Sequence, residues 1–214
     1  MRRESVSPLV GNRFAFSKKA LLVVGISILG LIAPAALEAQ VAAREVNANL
    51  GTTWQYASFP VENFQAYTSP YGYRGSATGG SGSEFHRGLD MAAPRGSYVR
   101  NWWTGKVIEV SDDSNCGTSV VVQSGEWTHI YCHMEGHVET ANGNRYMIDR
   151  EGGIMVAEGQ QVPAGARIGR VGMSGRTTGP HLHWGLKYAG QWVDPALVLR
   201  AMYAQQPSVS ISSR

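Results

Sequence analysis

Residues 104–133 read TGKVIEVSDDSNCGTSVVVQSGEWTHIYCH. Within this stretch Ser119–Gln123 and Thr128–His133 are rich in β-branched and aromatic residues, and Ser124-Gly125-Glu126-Trp127 lies between them. Two such runs around a glycine turn predict a β-hairpin. Lys106–Val110, just upstream, reads as a further strand. The same grammar extends outward to Tyr98–Trp103, Ile154–Val156, Arg167–Val171 and His183–Lys187. Glycines at 105, 125, 165, 172, 175, 179 and 190 punctuate these runs. One helix is expected, Pro195–Ala204, with Asp194 as N-cap and Pro195 at the first helical position. The fold class is therefore mainly β, an antiparallel sheet with one short C-terminal helix.

Composition agrees. Of 214 residues 26 are glycine, against roughly 7% in an average chain, and six Trp, nine Tyr and five Phe accompany them. Only 16% are charged, too few for a coiled coil, while 43% are hydrophobic, too many for a disordered chain. Four segments show no strand period. Residues 40–63 read as a linker, 69–97 as loop, Gly136–Gly153 as an inserted loop, and 204–214 as a flexible tail. The domain proper is expected over 64–203.

Residues 1–39 read as an address, a signal peptide or membrane anchor. Arg2, Arg3, Arg13, Lys18 and Lys19 precede the apolar run Ala20 to Leu37, and small residues follow. This is the secretory pattern, with cleavage expected after Ala35, Ala39 or Ala43. The alternative is an uncleaved anchor, since 18 apolar residues lie at the lower edge for a span. Either way the remainder is exported, to a periplasm, cell envelope or extracellular space. The formal charge of +3 also belongs to this segment, which holds five basic and two acidic residues of the 19 and 16 in the chain. What remains is 14 of each sign, so no basic patch argues for nucleic acid. Export makes Cys116 and Cys132, the only cysteines, an expected disulfide across the hairpin.

All six histidines fall between His86 and His183. Three patterns matter: His86-Arg87-Gly88-Leu89-Asp90, Tyr131-Cys132-His133, and Gly179-Pro180-His181-Leu182-His183. In a strand His181 and His183 point to one face and Leu182 to the other. A glycine-rich turn lets His86 and Asp90 converge. Two His and one carboxylate suit catalytic zinc, which takes three protein ligands and leaves a position for water. His86, Asp90, His133, His181 and His183 are more than one zinc needs, so two remain for proton transfer. The residues leave open which of His181 and His183 binds metal. His129 shares the strand face of His133 and reads as structural, as does His137 in the insertion. Cys132 and His133 point to opposite faces, which argues against a Cys–His nucleophile.

At these residues the chain resembles the lysostaphin-type (LytM-like) zinc metallopeptidases, which cut peptide bonds in bacterial peptidoglycan. The matching text is TSPYGYR (68–74), FHRGLDMAAPRGSYV (85–99), TGKVIEV (104–110), IYCHM (130–134), VAEGQQVPAGARIGRVGMSGRTTGPHLHWGL (156–186) and WVDP (192–195). The resemblance implies that His86, Asp90 and His183 ligate Zn2+, and that His133 and His181 are catalytic. It also implies a zinc groove in the β domain and peptidoglycan peptides as partners. Met134 stands where the family usually has Leu, and Trp184-Gly185 where it usually has an aromatic-acidic pair. A non-catalytic wall-binding module that regulates another hydrolase is the alternative implied by degenerate family members.

Overall fold

The computed structural model describes residues 53–76, 79 and 81–206. The N-terminal address lies outside them, as do residues 207–214 of the tail. Among the described residues no helix is long and apolar enough to cross a membrane.

The described residues form fifteen strands. They are β1 (Ala66–Ser69), β2 (Gly72–Gly75), β3 (Ser83–His86), β4 (Leu89–Ala92), β5 (Tyr98–Arg100), β6 (Gly105–Ser111), β7 (Ser119–Ser124) and β8 (Trp127–Cys132). There follow β9 (His137–Ala141), β10 (Asn144–Asp149), β11 (Ile154–Ala157), β12 (Gln161–Val162), β13 (Arg167–Arg170), β14 (His181–Tyr188) and β15 (Gln191–Val193). Helix α1 (Pro195–Gln205) closes the described chain, and the Asp194 carboxylate accepts from the Ala196 N–H as its cap. The main sheet runs β1-β4-β14-β8-β7-β6-β12, with β15 also on β14. All its pairings are antiparallel. The expected hairpin is β7–β8, pairing Ser124 with Trp127 around Gly125-Glu126.

Alternation decides which face is core. Val120 and Val122 of β7, Trp127, His129 and Tyr131 of β8, and Leu182, Trp184 and Leu186 of β14 are buried on one side. Trp102 sits at the centre, with Trp54, Trp127 and Trp184 edge-on at 6.0, 5.4 and 5.7 Å between ring centroids. Such aromatic packing adds about 1 kcal/mol per pair beyond area burial. The Tyr131 hydroxyl is satisfied inside it, accepting from the Trp102 N–H at 2.8 Å and donating to Asn101 Oδ1 at 3.2 Å.

Several expectations need correction. The linker 40–63 is too long as drawn, because Trp54, Ala57 and Val61 are buried and Val61 bridges Val99 of β5. Their apolar side chains follow no single period, yet they complete the tryptophan cluster. The tail 204–214 likewise begins too early, since α1 runs to Gln205 and the Gln206 amide donates to Ala57 O. Residues 69–97 are not loop: β2 pairs with β3 and β4 lies inside the main sheet. Gly136–Gly153 is not a plain loop either. It holds the β9–β10 hairpin, whose turn Asn142-Gly143 has both φ values positive, 54° and 77°. With β11 it makes a separate three-stranded sheet.

Candidate metal centre and active site

Register brings the first pair of site residues together. In the β4–β14 ladder Asp90 lies directly opposite His183, and Ala92 opposite His181. Leu89, Met91, Leu182 and Trp184 point to the core, so Asp90, His181 and His183 share the opposite face. His86 ends β3 and reaches the same place across the Arg87-Gly88 turn. Gly88 makes this approach possible. A Cβ there would lie 2.5 Å from His183 Cε1 and 2.9 Å from Trp184 O.

Three donor atoms meet. His86 Nε2 is 3.0 Å from Asp90 Oδ1 and 2.9 Å from His183 Nδ1, and His183 Nδ1 is 2.9 Å from Asp90 Oδ1. His86 Nδ1–H donates to Pro70 O at 2.7 Å, which leaves the Nε2 lone pair facing the other two atoms. Two imidazole nitrogens and a carboxylate oxygen in a tight triangle form a donor set fit for zinc, whose tetrahedral ligands sit roughly 3.3 Å apart. Asp90 Oδ2 is held from the far side by Arg74 Nη1 at 2.9 Å. Burial pushes the Asp90 carboxyl up, but hydrogen bonds and charge from His183 and His86 outweigh it and hold it well below the carboxylate range. Burial pushes His183 down, against the pull of Asp90. The centre is thus biased toward an ionised Asp90 carboxylate, the form a cation requires.

Two further imidazoles flank this triangle. The His133 and His181 rings are 4.8 Å apart, and His181 Nε2 is 3.6 Å from Asp90 Oδ1. His133 Nδ1–H donates to Ser174 O at 2.9 Å, and His181 Nδ1–H to Gly179 O at 2.8 Å. Both rings therefore carry their free lone pair on Nε2. Burial pushes His133 down to about 4, with the Ser174 carbonyl opposing. Both line an open cavity of about 380 Å³, along with Arg74, Asp90, Arg176 and His183. No residue of β9–β11 lines it.

All five expected site residues converge, while the other two histidines do not. His129 is fully buried against Trp102, with ring centroids 5.0 Å apart. His137 is exposed and pairs with Glu139. The expected face-sharing of His129 and His133 fails, because His133 has φ 63° and leaves the strand alternation. The disulfide Cys116–Cys132 is formed and sits beside it: the His133 N–H donates to Cys116 O at 2.8 Å. Sequence reasoning missed Arg74, Ser174 and Gly179 as partners of the site. Arg74 lay within the TSPYGYR match. The other two act through backbone carbonyls, which leave no mark on side-chain identity.

An antiparallel β domain with a His/Asp/His donor set and two imidazoles in an open cleft defines a metallopeptidase class of architecture. The chain belongs to peptidase family M23, whose model matches residues 84–195. It is 33% identical over 126 residues to peptidoglycan DD-endopeptidase ShyA of Vibrio cholerae, covering 58% of this chain and 24% of that one. It is 31% identical over 132 residues to DD-carboxypeptidase/endopeptidase Mpg of Neisseria meningitidis, covering 61% and 26%. The chain thus spans about a quarter of the length of these relatives. A crystal structure of a zinc-containing peptidase from Vibrio cholerae matches with TM-score 0.50 and 29% identity, over 70% of this chain and 40% of that one.

Proposed function

We propose that this chain is a zinc-dependent endopeptidase that cleaves peptide bonds of bacterial peptidoglycan, in the stem or the cross-bridge, after export from the cytoplasm. The relative named as a peptidoglycan DD-endopeptidase supports the substrate class. The observation that carries the reading is the pair of imidazoles beside the donor triangle, each with Nδ1–H tied to a backbone carbonyl. A structural metal site has no use for two such bases.

His86, Asp90 and His183 would hold the metal. Zinc, when bound, supplies a Lewis acid for the scissile carbonyl and lowers the pKa of a water toward neutrality. His133 and His181 act at Nε2. One takes the proton of the attacking water, and the pair returns a proton to the leaving amine. Their fixed tautomers place that basic atom without further reorganisation. Arg74 keeps the Asp90 carboxylate from rotating out of the triangle.

The test is a digest of cross-linked peptidoglycan by the zinc-loaded protein, read by mass spectrometry, beside two variants. Asp90→Ala is expected to lose both zinc and turnover. His181→Ala is expected to keep about one zinc per chain and lose at least a hundredfold in turnover. Full zinc occupancy in Asp90→Ala would overturn the ligand assignment. Zinc bound by the native protein without any cleavage would favour a wall-binding, regulatory role.

A further inference from the structure

The cleft carries a cationic group that the proposed chemistry does not use. The charged residues lining the cavity are Arg74, Asp90 and Arg176. Asp90 is committed to the two imidazoles of the triangle. Arg74 is committed as well: Nη1 donates to Ser69 Oγ at 2.5 Å and to Asp90 at 2.9 Å, and Nε and Nη2 reach Glu84 Oε1 at 3.1 Å. Arg176 differs. Its Nη2 donates to Glu84 Oε2 at 2.6 Å, and no described residue takes a hydrogen bond from its Nε or Nη1. Its side chain is 42% exposed, while its backbone N–H is fixed by Asn115 O at 2.8 Å. Glu84 is shared by two guanidiniums, so one carboxylate faces two positive charges. A guanidinium that is anchored on one nitrogen and open on the rest is a receptor for a planar anion, because its fork matches a carboxylate bidentately.

We propose that Arg176 anchors a free carboxylate of the peptide that occupies this cavity, and so selects peptides bearing one close to the scissile bond. The peptide's identity rests on the peptidase reading, whereas the carboxylate preference does not. In a peptide cross-linked from D-alanine to a dicarboxylic diamino acid, two candidates lie near the scissile bond: the acceptor peptide's C-terminal carboxylate and the free one on the diamino acid.

The experiment uses the full chain with zinc, carrying His181→Ala so that peptides stay intact, and measures binding by calorimetry. Three synthetic cross-linked peptides are compared: both carboxylates free, the C-terminal one amidated, and the diamino-acid one amidated. One amidation is expected to weaken binding about tenfold, and this identifies the carboxylate. Adding Arg176→Gln is expected to collapse that preference to near unity, and Arg176→Lys, which keeps charge without the fork, to restore it only in part. Equal binding of all three peptides, or a preference that survives Arg176→Gln, would overturn the proposal. The protein with His181 intact is run in parallel for cleavage. Uncut peptides with an Arg176-dependent preference would sink the peptidase reading alone. Uncut peptides with no preference would sink both.

Discussion

At His133 the backbone enters the left-handed region, φ 63°, and that torsion decides where the ring goes. Left-handed backbone is uncommon for a residue with a side chain and is held here by neighbours. The His133 N–H bonds to Cys116 O, and its ring bonds to Ser174 O. His129, four residues earlier, keeps the strand geometry and ends inside the core instead. Strand alternation made the two look equivalent, and a single turn torsion invisible to sequence pattern separated them. The buried ring has a measurable cost. Burial pushes His129 from 6.5 down to about 3, so the unfolded chain protonates it where the folded chain does not. Its stabilising neutral state is fully favoured above pH 6.5 and is penalised as pH falls from there toward 3. Each pH unit in that window costs about 1.4 kcal/mol. Urea unfolding at pH 6.5 and pH 5 should therefore show the native protein losing about 2 kcal/mol more than His129→Phe. Equal losses would mean that the ring is hydrated or paired.

Among the elements, those built on apolar alternation were legible. β6, β7, β8, β11, β13 and α1 lie within a residue or two of expectation, and β14 begins at His181 rather than His183. β5 stops at Arg100, earlier than expected, because Asn101 turns to donate to the Trp103, Val162 and Pro163 carbonyls. The first strands were not legible. β1 and β2 bury little of their length, so no apolar face marks them, and their glycines and prolines read as turns. β9–β10 carries one strong hairpin mark, Asn142-Gly143 as a two-residue turn, but its charged flanks show no apolar alternation. The proposed ligands His86 and Asp90 ride on the neighbouring β3 and β4, which lie in the stretch expected as loop, so their convergence was expected only from a flexible glycine turn. At this scale the disulfide bears on the geometry of the candidate site as well as on stability. It fixes the loop whose Cys116 carbonyl holds His133 and whose Gly117 packs on Ser174 and Gly175. Replacing both cysteines by serine should cost about 3 kcal/mol. Turnover should fall further than that loss of folded protein explains, with zinc content unchanged. A variant as active per folded molecule as the native protein would confine the bond to stability.

For the whole molecule, the core and the donor triangle lie on opposite faces of β4 and β14. Trp102, Trp184, Leu89, Met91 and Leu182 are fully buried within the hydrophobic core. Stripping the metal with a chelator should therefore abolish cleavage while leaving near-ultraviolet circular dichroism essentially unchanged. Restoring zinc should restore activity in the same sample. Unfolding on chelation would instead mark a structural metal.

The order of the main sheet has a consequence in time. β14 stands between β4 and β8 and is among the last strands in the chain. Until it inserts, the β1-β4 edge and the β8-β7-β6-β12 block have no hydrogen bonds joining them, and His183 is 93 positions away from Asp90 along the chain. Pairings of such long range are late and slow events in folding. A chain still emerging, unpaired, or only half collapsed lacks the third corner of the donor triangle. On the proposed function, the capacity to cut would thus be a property of the finished sheet, absent from an unfinished copy.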